Sequence, residues 1–174
     1  GNTSYGAAVA QTRDLRSVLV GSPENLSGAG TVHLYGINQN SSGYTPAGQL
    51  ALTTPSTVGF GDVISYGSNI WSAVGAPRSL SNFGYVTTLY KNPATSSYSI
   101  TQLLTKRPGV SFDSAKFGSS VAVSQDERWM YVGAPGDTDG GKVYAYARVA
   151  VQQQSVSYAT DGTTTTFNWS DSIV

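Results

Sequence analysis

The strongest constraint on this chain is that it repeats itself. An aromatic-glycine pair occurs three times, at Tyr5-Gly6, Phe60-Gly61 and Phe117-Gly118. Fourteen or fifteen residues after each of these glycines stands a glycine-small-proline triplet: Gly21-Ser22-Pro23, Gly75-Ala76-Pro77 and Gly133-Ala134-Pro135. A β-rich run ending in tyrosine closes each copy, at Tyr35, Tyr90 and Tyr146. Three landmarks held in register define a repeat protein, in which each unit buries its apolar face against its neighbours.

Within a copy the period is that of strands. Residues 119–124 (SSVAVS) and 129–134 (WMYVGA) alternate apolar and polar or carry β-branched and aromatic side chains, and the polar turn QDER separates them. The same pair recurs as AAVAQ with SVLVG, and as DVISY with IWSAVG. The tyrosine-ended run is a third strand. A fourth is expected at 49–52 and 100–104 in the first two copies. Connections carry Gly, Pro, Asn, Ser and Asp, which supply the backbone angles that turns require. No stretch keeps apolar residues at helical spacing, so helix is expected to be nearly absent.

Four short antiparallel strands in a unit of roughly 55 residues describe a propeller blade. The expected fold is therefore all-β: three antiparallel β-propeller blades at about 5–52, 60–105 and 117–149, followed by a C-terminal β-hairpin within 151–174. In each blade the aromatic ring is expected to pack between neighbouring sheets, with its glycine letting two backbones approach. The proline of the triplet ends the second strand, because it has no N–H to continue the ladder.

The run Phe117-Gly118-Ser119-Ser120-Val121-Ala122-Val123, with Tyr131-Val132-Gly133-Ala134-Pro135, resembles the FG-GAP repeat of integrin-α-like propellers. Phe60-Gly61 with Ala73-Val74-Gly75-Ala76-Pro77 fits equally well, and Tyr5-Gly6 with Val20-Gly21-Ser22-Pro23 is a softened copy. The resemblance implies an extracellular setting and adhesion or scaffolding rather than catalysis. It also implies that partners meet the loops 23–29, 77–83 and 135–141 and the inter-blade loops 53–59 and 106–116. Calcium-binding members of that family carry an Asp-rich loop between the two landmarks. Here 11–16, 66–69 and 124–128 hold too few carboxylates for an ion that takes 6–8 oxygens, so no calcium cofactor is expected at those turns.

The tail after Val149 breaks the repeat, and it holds the segment 158–167 (YATDGTTTTF). Asp161-Gly162 is a two-residue hairpin signal, flanked by strand-like runs at 155–159 and 163–169. The segment also resembles a short motif of phage tail-fibre and virion surface proteins, which extends the expected location to a virion surface. With Met130 as the only methionine, the chain reads as processed or as a piece of something longer.

Composition narrows the function. Ten basic residues balance ten acidic ones, which argues against an electrostatic grip on nucleic acid. Without cysteine there is no disulfide scaffold and no thiolate metal site. No apolar run reaches the ~18–20 residues of a spanning helix. His33 lies in a strand pattern with no nucleophile elbow near it in sequence, and reads as a surface or inter-blade side chain. Asp137 and Asp139 form the most metal-like cluster, set against the simpler reading of an Asp-Gly turn between the second and third strands. Tyr44, Phe83, Tyr98 and Phe112 fall in or beside connections, and are the candidate partner-binding aromatics, balanced between recognition and packing.

The sequence thus predicts a non-catalytic adhesion or structural-interaction module whose partners are a surface protein or glycan and neighbouring blades or subunits. The alternatives are a glycan-binding, lectin-like propeller and the propeller body of a carbohydrate- or lipid-active enzyme.

Overall fold

The computed structural model describes residues 4–37, 43–51, 58–106, 114–148 and 157–159, with backbone alone for 157–159 and for Asp139. The fold is all-β. The first four strands are β1 (Val9–Gln11), β2 (Ser17–Ser22), β3 (Thr31–Ile37) and β4 (Tyr44–Leu50). The second four are β5 (Val63–Tyr66), β6 (Trp71–Ala76), β7 (Tyr85–Lys91) and β8 (Tyr98–Leu104). The third are β9 (Ser120–Val123), β10 (Trp129–Ala134), β11 (Lys142–Ala147) and β12 (Ser157–Ala159). Each group forms one antiparallel sheet with its strands in chain order. Helix among the described residues is confined to single turns, such as α1 at Ser79–Asn82.

Strands β2, β6 and β10 end at Ser22, Ala76 and Ala134, one residue before the prolines of the triplet. The fourth strand of the first sheet differs from expectation. It begins at Tyr44 rather than near residue 49, and its side chains are exposed up to Gln49. A strand with one open edge tolerates Pro46 and Gly48, and the register shift at Leu34/Tyr35 absorbs the irregularity. Ser157–Ala159 pairs with Tyr144–Tyr146 of β11 and fills the fourth place in the third sheet. The second arm of the expected hairpin, 163–169, lies outside the described residues.

The sheets stack in chain order, β1 and β2 against β5, and β5 and β6 against β9. Strand alternation gives the middle sheet two buried faces. Val74, Ala76, Tyr85 and Leu89 face Leu19, Val32 and Leu34 of the first sheet, with Phe60 buried among them. Trp71, Ala73, Val86 and Leu104 face Met130, Val132 and Ala134 of the third, with Phe117 buried there. The Phe117 ring meets Tyr144 and Tyr146 edge-on, at centroid distances of 5.5 and 6.3 Å.

Two junctions repeat one geometry. The Phe60 amide donates to the Ala29 carbonyl (3.1 Å), and the Phe117 amide to the Phe83 carbonyl (2.9 Å). Parallel bridges join Gly30 to Phe60 and Gly84 to Phe117. A Cβ on Gly21 would lie 2.0 Å from the Gly61 carbonyl oxygen, and one on Gly75 would lie 2.2 Å from that of Gly118. The triplet glycine of one repeat is therefore the seat for the aromatic-glycine pair of the next.

Candidate functional site

The β1–β2, β5–β6 and β9–β10 turns lie at one end of the sheets. Each turn is tied to the next. The Asn69 side-chain oxygen accepts the Asp14 amide (2.9 Å), and the Ser68 carbonyl accepts the Arg13 amide (2.9 Å). Glu127, buried and held in the left-handed region at φ 58°, does more. Its Oε1 accepts the amides of Ser68, Asn69, Ile70 and Trp71 at 3.0, 2.9, 3.1 and 3.3 Å. The Arg148 guanidinium sits 4.6 Å over the Trp71 ring, with Nη1 3.9 Å from Glu127 Oε2. A carboxylate from one turn thus accepts hydrogen bonds from four successive backbone amides of the turn before it.

Between the first two turns opens a groove of about 580 Å³, lined by Asp14, Arg16, Tyr35, Ile70, Lys91 and Ser96 among others. That volume falls within the ~300–1,000 Å³ of small-molecule sites. Lys91 is only 7 % exposed. Its ammonium donates to Ser17 Oγ (2.8 Å) and stands 6.0 Å from the centre of the Tyr98 ring. Burial acts to raise the Asp14 carboxyl, but the Thr12 hydroxyl, the Arg16 amide and the charges of Lys91 and Arg16 outweigh it and hold Asp14 below the usual carboxylate range. The groove wall therefore carries two cations and one anion beside apolar surface.

The candidate aromatics divide. Tyr44 is 39 % exposed, accepts from Gln11 Nε2 (2.5 Å) and donates to the Leu15 carbonyl, so it braces the β1–β2 turn while presenting its ring to solvent. Phe83 falls on the packing side of that balance. It is 4 % exposed, and the chain at this point is used to receive Phe117. Tyr98 is half-buried against the core of the first two sheets, with its hydroxyl bonded to that of Tyr66. Burial pushes both phenols up. Phe112 lies outside the described residues.

Asp137 is occupied by protein donors. One oxygen accepts the Lys106 ammonium and the Thr138 amide (2.7 Å), and the other accepts the Tyr144 hydroxyl. Burial would raise this carboxyl, but those donors, Lys106 first, hold it below the usual range. Asp139 follows in the single helical turn Thr138–Gly140. Among the described residues no group of three or more His, Cys, Asp or Glu gathers as a metal site. His33 Nε2 lies 3.2 Å from Thr31 Oγ1 and its ring is 5.1 Å from Tyr5, edge-on. On the loop end of the sheets, Arg78 grips Asp62 through two bonds (2.9 and 3.0 Å) and Glu24 through a third (2.7 Å), which joins the first two repeats.

Sequence reasoning missed Lys91 and Glu127. Each acts on residues more than fifty positions away, and a lone charge next to a turn carries no local pattern that marks such a role. No protein-family model matches this chain, and no curated protein matches it. No helix among the described residues is long and apolar enough to cross a membrane.

Proposed function

We propose that this chain is a non-catalytic adhesion or structural-interaction module of an extracellular or virion surface protein, built from three FG-GAP-like propeller blades. The observation that carries the reading is the repeated junction, in which Phe60-Gly61 and Phe117-Gly118 each seat on the sheet before them. Such a stack grows by adding sheets, and it presents two ends of loops and turns to partners. The chain is poor in charge and rich in tyrosine, and the exposed Tyr44 and Tyr131 suit recognition by hydrogen bonding and aromatic contact.

A glycan-binding role is the second reading, and the groove favours it. Lys91 and Arg16 stand beside Tyr35, Ser96 and Asn69, a mixture of cations, hydroxyls, amide and ring suited to a polar saccharide. The test is retention of the labelled chain on intact cells and on a glycan array, with Arg16→Glu as comparator. Binding to a cell-surface protein supports the first reading, and glycan binding lost in Arg16→Glu supports the second. Turnover of glycoside or ester substrates, or retention on neither surface, overturns both.

A further inference from the structure

Two lysines are buried among the described residues, and they are treated differently. Lys106 faces the Asp137 carboxylate directly. Lys91 closes β7, and its amide donates to the Ile70 carbonyl (2.8 Å). Its side chain crosses from the second sheet to the first, where the ammonium donates to Ser17 Oγ (2.8 Å). Ser17 is itself 4 % exposed, and its amide donates to Thr12 Oγ1 (2.9 Å). An ammonium carries three donors. Among the described residues this one meets a single hydrogen-bond acceptor and no carboxylate in ion-pair contact. The connection 38–42 between β3 and β4, Asn-Gln-Asn-Ser-Ser, adds no carboxylate either. Buried charges are ordinarily paired, so a lysine held almost out of water against one hydroxyl is kept at a cost in stability.

Lys91 and Ser17 both line the groove between the first two turns. Arg16 lies exposed on its rim, and Asp14 is the one carboxylate among its lining residues. Two cations against one anion leave the wall with a single net positive charge at neutral pH. The rest of the wall is mixed. Tyr35 and Ile70 are half-buried and offer apolar surface. The Asn69 side chain holds the Asp14 amide with its oxygen and keeps its Nδ2 for a further acceptor, and the Ser96 hydroxyl stands across from it.

We propose that the groove binds an acidic saccharide, whose anionic group takes the remaining Lys91 donors and the Arg16 guanidinium while its apolar face lies along Tyr35 and Ile70. The wall matches one negative charge, which is that of a carboxylate or a sulfate ester, whereas a phosphate monoester carries about −1.5 to −2. Withdrawn from water, the Lys91 ammonium attracts such a group more strongly than a surface lysine does, and Arg16 on the rim draws it in. This deepens the glycan reading of the same groove and rests on it.

The test is calorimetric titration of the chain with three oligosaccharides of equal length, one neutral, one of uronic acids and one sulfated. An acidic oligomer should bind at least about tenfold more tightly than the neutral one at low salt, and the advantage should shrink as salt is raised. The tighter of the two acidic oligomers tells whether the charge is a carboxylate or a sulfate ester. Asp14→Asn keeps an oxygen for the Arg16 amide but removes a competing charge, so it should tighten acidic binding and leave neutral binding unchanged. Lys91→Met should abolish the acidic preference while holding or raising the urea midpoint, because an apolar side chain replaces a buried charge that lacks a counter-ion. Arg16→Gln, on the exposed rim, tests the same preference without touching the core, and should reduce it about threefold. Equal affinity for neutral and acidic oligomers overturns the inference and leaves the glycan reading standing. Binding of none of the three overturns both. A Lys91→Met chain that is less stable yet keeps the acidic preference also overturns it, and assigns Lys91 to joining the sheets alone.

Discussion

Glu127 shows how much one side chain does in a fold of short strands. Its Oε1 serves four successive amides of a turn 56 to 59 positions earlier, and it is buried while doing so. Hydrogen bonds to a charged group contribute about 1.5–3 kcal/mol, and orphaned buried amides cost more than the lost bonds. Glu127→Gln should therefore lower stability by about 2 kcal/mol and Glu127→Ala by more, read as a shift in the urea midpoint at constant slope. A midpoint within error of wild type for Glu127→Ala would show that the turn satisfies its amides elsewhere. Asp137 acts at the opposite end of the same sheet, facing Lys106 with both side chains almost fully buried. Its carboxyl is depressed in the folded chain, so its contribution is complete above the unfolded value of about 3.9 and is lost as pH falls through the folded value. Asp14 is depressed as well and adds in the same direction. Stability should thus be level from neutral pH down to about 4 and then fall, and Asp137→Asn should flatten that fall. The same variant should lose about 3–5 kcal/mol at pH 7, because the carboxylate opposing a buried ammonium is gone. Urea titrations at several pH values measure both effects. An acid limb of unchanged steepness in Asp137→Asn would assign it to other groups.

Sheets join here through backbone contact, and this makes glycine the residue on which stacking depends. At Gly75 the obstructing atom is a backbone carbonyl 2.2 Å from where a Cβ would stand, and no rotamer change relieves it. At Gly133 the obstructing atom is Ser120 Oγ, which rotation moves aside. Gly75→Ala should therefore cost about 3 kcal/mol or more, as overpacking does at rigid sites. Gly133→Ala should stay within about 0.5 kcal/mol of wild type, as at a surface position. Equal losses at the two sites by chemical denaturation would mean that the first contact is not tighter than the second. These landmarks were legible in the sequence because the junction imposes residue types at fixed offsets: an aromatic, its glycine, a second glycine, a proline. The first three strands of each repeat were legible because alternation follows from having a buried face. β4 was misplaced because YTPAGQL has no buried face to impose alternation, and Pro46 and Gly48 read as turn residues. Phe83 was read as a possible platform because it lies in a connection, yet that connection is the receiving edge of a junction and its ring is buried. The candidate groove was not legible at all. Its wall is assembled from turns of two repeats, and no single stretch of sequence carries it.

A stack of three sheets is not equally stable through its depth. The middle sheet is covered on both sides, and every residue of β6 and all but Tyr90 of β7 are buried. The outer sheets are covered on one side, and in β4 every residue but Leu50 is exposed. Repeat stacks owe their stability to interfaces between neighbours as well as to each unit, so the unit with two interfaces gains most. Opening the first sheet sacrifices the cluster around Phe60, and opening the third sacrifices the cluster around Phe117. Opening the second sacrifices both. Native-state hydrogen exchange should therefore show amides of β6 and β7 exchanging only by global unfolding, with those of β1 and β4 exchanging through smaller local openings. Uniform protection across the three sheets, or slowest exchange in an outer sheet of the monomer, would contradict a stack held together by its junctions.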